Sequence, residues 1–333
     1  MIQGHQTWVF ESKPVIIASA AVGGPFEGNG ALANDFDKLH QDTWLGQGSY
    51  EKAEKKLLEE ACEIAIRKGG SKKEDVQFFL SGDLMNQIIS SSFAARTLGA
   101  PFLGLFGACS SSMESLSLAA LIADNKFGDN LIAAASSHNS AAEKQFRYPT
   151  EYGGQKPPTA QWTVTGAGAA LVRQQGEGPK VTAATIGRVV DMGISDPFNM
   201  GGAMAPAAVD TIEAHFRDLN RETDYYDIIA TGDLGSVGHQ IAADLLKKHN
   251  IKMDKQRFTD CGILIYKKEQ PALAGGSGCG CSATVTYGHF LNRMRKGELK
   301  KILIVATGVL MSPISYQQKE SMPCIAHAVS IEM

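Results

Sequence analysis

Short apolar runs separated by amphipathic stretches set the rhythm of this chain. PVIIASA (14–20), VQFFLSGD (76–83), PFLGLFG (101–107), LIAAASS (131–137) and VTGAGAALV (164–172) read as strands buried on both faces. Between the first two lies EKAEKKLLEEACEIAIRKGG (51–70), where Ala53, Leu57, Leu58, Ala61, Ile64 and Ala65 share one helical face and two glycines end the period. The second half runs the same way. VTAATIG (181–187), DIIATGDL (227–234), CGILIY (261–266), ILIVATG (302–308) and IAHAVSI (325–331) read as strands, and helices are expected near 206–219, 239–248 and 282–296. Strands alternating with helices define an α/β protein.

Two correspondences turn this rhythm into a repeat. Ser81-Gly82-Asp83-Leu84 matches Thr231-Gly232-Asp233-Leu234, each at the end of an apolar run. Cys109-Ser110 precedes Leu131-Ile132 by the same 22 residues that separate Cys281-Ser282 from Leu303-Ile304. A duplicated unit follows, with halves at 1–175 and 176–333 joined by the polar, turn-rich QQGEGP (174–179).

Composition narrows the function. A formal net charge of −3 and the absence of long basic runs argue against nucleic acid as a partner. Six scattered cysteines suit a reducing interior better than a disulfide framework, and no signal-peptide pattern opens the sequence. The apolar runs are far shorter than the ~20 residues of a membrane-spanning helix.

Candidate chemistry gathers at FGACSSSMESL, where Cys109 stands between an apolar run and a helix-forming stretch. At a helix start, unpaired N–H groups and the positive end of the dipole favour a thiolate, lowering its pKa below the free value of about 8.5. The same donors, with the Ser110 hydroxyl, suit a carboxylate without covalent chemistry. The loop 143–162 brings Lys144, Arg147 and Lys156 among Phe146, Tyr148, Tyr152 and Trp162. Arg147 leads these cations, because a guanidinium can grip a carboxylate with two parallel bonds; the alternative is a solvated surface loop. His138 and Asn139 stand at the carboxyl end of a strand, where α/β proteins collect ligand contacts. A satisfied interior histidine is the plainer reading of His138. Cys279 and Cys281 lack a second pair at zinc spacing, so no metal is expected. GAGAA (166–170) lies inside a strand and answers to close packing rather than to a dinucleotide.

The two halves with Gly107-Ala108-Cys109 at a central turn resemble the thiolase and ketoacyl-synthase superfamily over nearly the whole chain. That resemblance implies two βαβαβαββ halves forming a five-layered αβαβα sandwich, with Cys109 as acyl acceptor. Gly238-His239-Gln240 looks like the His-Gln of ketoacyl-ACP synthase III, which would give His239 the donor or base role, and Asn199-Met200-Gly201-Gly202 is similar to its Met-x-Gly loop. The third position departs: Cys279 stands where the asparagine belongs. An S–H is a weak donor, and losing one oxyanion donor costs on the order of 100-fold to 1000-fold in rate.

HQDTWLGQGSYEKAEKKLLEEA (40–61), FGACSSSMESLSLA (106–119) and TEYGGQKPPTAQWTVTGAGAALV (150–172) are similar to the stage V sporulation protein AD family of spore-forming bacteria. The resemblance implies a non-enzymatic protein that binds dipicolinic acid, pyridine-2,6-dicarboxylate, free or as its calcium chelate, with no other cofactor. It implies membrane subunits of the SpoVA complex as partners, a place in the spore interior against the inner membrane, and a role in dipicolinate uptake and in its release on germination. A homodimer through the thiolase-type interface is a further expectation. The residues expected at the ligand are Cys109, Ser110, His239, Arg147, Lys144, His138 and Asn199. The alternative function is acyl transfer through Cys109 assisted by His239.

Overall fold

The computed structural model describes residues 1–147 and 155–333. Ten strands carry the architecture: β1 (Val15–Gly23), β2 (Phe78–Gly82), β3 (Phe102–Gly104), β4 (Leu131–Ser137), β5 (Gly166–Arg173), β6 (Lys180–Ile186), β7 (Ile228–Thr231), β8 (Phe258–Asp260), β9 (Lys301–Val309) and β10 (Cys324–Glu332). The first five lie in the order β3-β2-β4-β5-β1 and the second five in the order β8-β7-β9-β10-β6. Adding five to each label converts one order into the other, so the topology repeats as the sequence does. In each set the three outer strands are parallel and the other pairings antiparallel. One pairing, Lys180 with Val15, joins the two sets at the linker.

Helices fill three layers around these sheets. α1 (Tyr50–Lys68) and α2 (Ile89–Leu98) cover the outside of the first sheet. The α1 face Ala53, Leu57, Leu58, Ala61 and Ala65 is fully buried, and the Ser49 hydroxyl caps the helix by accepting the Lys52 N–H at 3.3 Å. α3 (Ser111–Asp124) packs against strands of both sheets and forms the middle layer with α7 (Cys279–Thr284). α5 (Met200–Leu219) and α6 (Gly235–Lys248) cover the second sheet, and α4 (Asn139–Gln145) follows β4. The result is the expected αβαβα sandwich.

The small residues of GAGAA have their cause here: a Cβ on Gly168 would stand 2.6 Å from the Ala283 carbonyl, so α7 can lie on β5 only where side chains are minimal. Beyond Thr284 the middle helix winds as a π turn over Val285–Phe290 before resuming at Leu291–Arg295. Gly288 fits against Asp35, where a Cβ would come within 2.8 Å of the Asp35 carbonyl oxygen. The Tyr287 carbonyl accepts the Ser19 hydroxyl at 2.7 Å, and Arg295 donates to the same hydroxyl oxygen at 2.9 Å.

One element differs from the sequence reading. CGILIY is not a strand; the strand is β8, immediately before it, and Cys261–Ile265 forms a short helix. Asp260 is the reason, because its carboxylate accepts the Ile263 N–H at 3.2 Å and turns the chain into a helix start. α5 also begins earlier than expected, at Met200, with Asn199 as its N-cap and Pro206 carried inside the helix.

Candidate functional site

Cys109 sits in a tight turn, Ala108–Ser110, between β3 and α3. Ala108 has a left-handed backbone, φ 49°, a strained conformation for a residue with a side chain. β9 presses on this turn at Gly308, where a Cβ would stand 2.2 Å from the Gly107 carbonyl oxygen and 3.1 Å from the Cys109 nitrogen. Gly308→Ala is therefore expected to cost about 3 kcal/mol by overpacking against backbone, read as a lowered midpoint in denaturant; a midpoint equal to the parent would contradict this geometry.

The three serines are occupied internally. Ser110 donates to the Gly107 carbonyl at 2.7 Å and Ser111 to the Ala108 carbonyl at 2.8 Å, while Ser112 and Ser282 share a hydrogen bond at 2.6 Å between the two middle-layer helices. The Ser110 hydroxyl, expected at the ligand, thus serves the turn itself.

Asp233, just past β7, is the group that faces Cys109. Its carboxylate accepts from Thr307 Oγ1 at 2.7 Å, Ser277 Oγ at 2.9 Å and the Gly278 N–H at 2.9 Å, and it lies near enough to the Cys109 thiol for each group to shift the other's pKa. Burial raises the Asp233 pKa, against the pull of these bonds. Burial also pushes the Cys109 thiol well above its ordinary value, and the Asp233 charge adds to that while Arg147 opposes it. The turn therefore holds a protonated thiol, contrary to the activated thiolate expected from a helix start. Desolvation and a neighbouring carboxylate outweigh the dipole.

Arg147 is the expected ligand residue that the structure does bring here. It is 3% exposed and donates to Ser277 Oγ at 2.8 Å, Thr163 Oγ1 at 2.9 Å and Met200 Sδ at 3.5 Å. Ser277 thus links the guanidinium to Asp233, and Asp233 links it to Cys109. Thr163 and Ser277 are neighbours in a small parallel pairing of Trp162–Thr163 with Gly276–Ser277. Glu143, one helical turn earlier, stands 3.6 Å from Arg147 Nε through one oxygen and 2.7 Å from Lys156 Nζ through the other. Asn199 caps α5 beside this cluster, its Oδ1 accepting the Gly202 N–H at 3.3 Å, and its neighbour Met200 supplies the thioether.

The other expected residues lie elsewhere. His239 is in the second turn of α6 with its ring stacked on Phe258, centroids 4.4 Å apart, and burial lowers its pKa. Its Nε2 is buried without a hydrogen-bond partner among the described residues, and the charges that act on Cys109 are those of Asp233, six residues earlier in the chain, and Arg147. His138 is a buried interior histidine whose Nε2 is 2.8 Å from the Thr43 carbonyl oxygen and whose ring leans on Tyr50. Lys144 is largely exposed and pairs with Glu51 at 3.3 Å. Cys279 donates to the Ser136 carbonyl at 3.0 Å and Cys281 to that of Gly232 at 3.5 Å, which fits buried thiols serving the fold. Tyr148 and Tyr152 fall outside the described residues. Among the described residues no group of three or more His, Cys, Asp or Glu side chains could hold a metal ion, and no helix is long and apolar enough to cross a membrane.

The architecture is that of the thiolase-like condensing enzymes. Ketoacyl-ACP synthase III (3-oxoacyl-[acyl-carrier-protein] synthase III) from Aquifex aeolicus superposes with a TM-score of 0.61 over 96% of this chain and 100% of its own, at 12% identity. Cerulenin-bound OleA from Xanthomonas campestris gives 0.65 over 98% and 100%, also at 12%. These likenesses concern the fold alone. In sequence, the profile of the stage V sporulation protein AD (SpoVAD) family matches residues 4–332. Stage V sporulation protein AD of Bacillus subtilis is 49% identical over 331 residues, 99% of this chain and 98% of that protein. The chain belongs to the stage V sporulation protein AD family.

Proposed function

We propose that this protein serves sporulation by binding dipicolinate beside the Cys109 turn, without transferring an acyl group. The observation that carries the reading is the grouping of Arg147 and Lys156 on the two oxygens of Glu143, next to the Ser277–Asp233–Cys109 chain. A planar dicarboxylate asks for cations at its carboxylates and apolar walls at its ring. Arg147 is the guanidinium that a carboxylate would draw from its present bonds to Ser277 and Thr163, Lys156 is the second cation, and Phe146 and Met200 are the buried apolar neighbours. Binding rather than catalysis is supported by three features: a thiol held protonated, a carboxylate where a base or donor histidine was expected, and Cys279 engaged with a backbone carbonyl.

The expected partners are membrane subunits of the SpoVA complex at the spore's inner membrane, with dipicolinate taken up during sporulation and released on germination, free or as its calcium chelate. A homodimer is supported by β3, the end strand of its sheet, where Leu103 and nearby Phe106 are 42% and 48% exposed. Light scattering should then give twice the chain mass.

Titration calorimetry tests the central claim. Dipicolinate should bind saturably, Arg147→Gln should weaken it at least 10-fold, and the neutral pyridine-2,6-dicarboxamide should not bind. No heat at millimolar dipicolinate would sink the proposal. Acyl-CoA should leave the intact mass unchanged, and an acyl adduct on Cys109 would install the acyl-transfer reading in its place.

A further inference from the structure

On the outer side of the first sheet, α1 and α2 frame a concave groove in two compartments. The larger, an open pocket of about 450 Å³, is lined by Lys52 and Lys55 from α1, Ile89 and Phe93 from α2, and Asn86 and Gln145. The smaller, about 290 Å³, shares Asn86 and Gln145 and continues past Phe106 and Met311. Neither is lined by Cys109, Asp233 or Arg147.

The walls of the larger compartment divide by chemistry. Lys52 and Lys55 are three residues apart on α1, so their ammonium groups leave the same side of the helix. Lys55 pairs with Glu59 at 2.7 Å, whereas no carboxylate among the described residues pairs with Lys52. Glu51, the acid on this wall, is committed to Lys144 at 3.3 Å and to the Gln145 amide at 2.9 Å. Burial works against its charge, but hydrogen bonds from its own backbone and Ser49, together with Lys144, prevail and hold the carboxyl below its ordinary value. Gln145 is fixed from both ends, since its Oε1 also accepts the Asn86 N–H at 3.1 Å. Across the groove, Ile89 and Phe93 lie one turn apart on α2 and remain 39% and 42% exposed. α2 points its N-terminus into the same space with no side-chain cap from Ile88.

We propose that this compartment is a second binding site, for a small organic anion with a flat or short aliphatic apolar body. Its carboxylate meets Lys52 and Lys55, its body lies on Ile89 and Phe93, and the Asn86 and Gln145 amides complete the polar edge. The volume falls in the range of small-molecule sites, roughly 300–1000 Å³. A bare anion would gain nothing from the apolar wall, and a neutral hydrocarbon would leave the lysines unused.

The probe is benzoate, titrated by calorimetry at low ionic strength into the parent and into Arg147→Gln. Saturable binding is expected in both, weakened at least 10-fold in the double variant Lys52→Ala/Lys55→Ala and at least 5-fold in Phe93→Ser, with acetate a poor competitor. The substituted side chains are at the surface, and unchanged thermal melts would establish that the variants fold. Absence of saturable binding, or binding indifferent to both substitutions, overturns the site. Binding that survives in the parent but disappears in Arg147→Gln assigns benzoate to the Arg147 cluster and equally overturns it.

Discussion

Asp233→Ala is expected to lower folding stability by about 3–5 kcal/mol, the scale for removing one member of a buried charged network. Three donors lose their acceptor at once: Thr307, Ser277 and the Gly278 N–H. Each buried donor left unpaired costs roughly 1–3 kcal/mol, and the alanine also leaves a small cavity. Asp233→Asn should cost much less, because the amide oxygen keeps part of this set. Denaturant unfolding of both variants is the measurement. A midpoint for the alanine variant within experimental error of the parent would mean that Asp233 does not organise the cluster, and the link from Arg147 to Cys109 would fall with it.

Glu27→Gln should change the pH dependence of stability by about 3 kcal/mol, at 1.36 kcal/mol per unit of pKa shift. Glu27 is fully buried, and its Oε1 accepts the Tyr266 hydroxyl at 2.5 Å and the Thr165 N–H at 3.0 Å. Burial pushes its pKa from 4.5 to about 7, in spite of those bonds. The folded state thus holds the proton more tightly than the unfolded chain, so the contribution of Glu27 is fully present below 4.5 and is lost as pH rises through about 7. Glutamine keeps both bonds without titrating, so the variant should gain on the parent from pH 4.5 to 8. Asp260 and Glu114, raised by burial to about 7, act on the parent in the same direction. His215 and His327, lowered by burial to about 3 and about 4, act in the opposite direction, losing stability as pH falls below 6.5. The difference between variant and parent therefore isolates Glu27. A difference flat across this range would refute a proton held there at neutral pH.

The strands were legible because buried strands announce themselves as unbroken apolar runs: LIAAASS coincides with β4, residue for residue. CGILIY misled for a related reason. A short apolar run has no visible period, and the deciding signal was Asp260 in front of it, a cap that a search for strands passes over. At the site, Arg147 stood out among the cations of its loop for its two-pronged reach, and the structure buries it against Ser277 and Thr163 rather than leaving it in a solvated loop. For His239 the sequence shows His-Gln after a strand but not how far along the next helix it falls; it lies in the second turn of α6, against Phe258. Asp233 was already visible as the partner of Asp83 in the repeat; its role was not, because which strand end faces Cys109 depends on how the two sheets stack.

The π turn of the middle helix makes this stretch one residue longer than its rotation needs. Removing one residue between Val285 and Phe290 would let this stretch close as an ordinary α-helix, and because a π turn holds one residue more than an α turn in about the same rotation, everything beyond it would keep its phase. Arg295 would then still reach Ser19, and the contacts of Cys279 and Ser282 before the deletion would be untouched. The extra residue is thus absorbed within one turn, and a deletion there stays local where the same deletion in an ordinary stretch of helix would turn all that follows. Chains of the same architecture that differ in length by one residue here should agree both around Ser19 and at the cluster around Cys109, and differ only in whether this turn is wide.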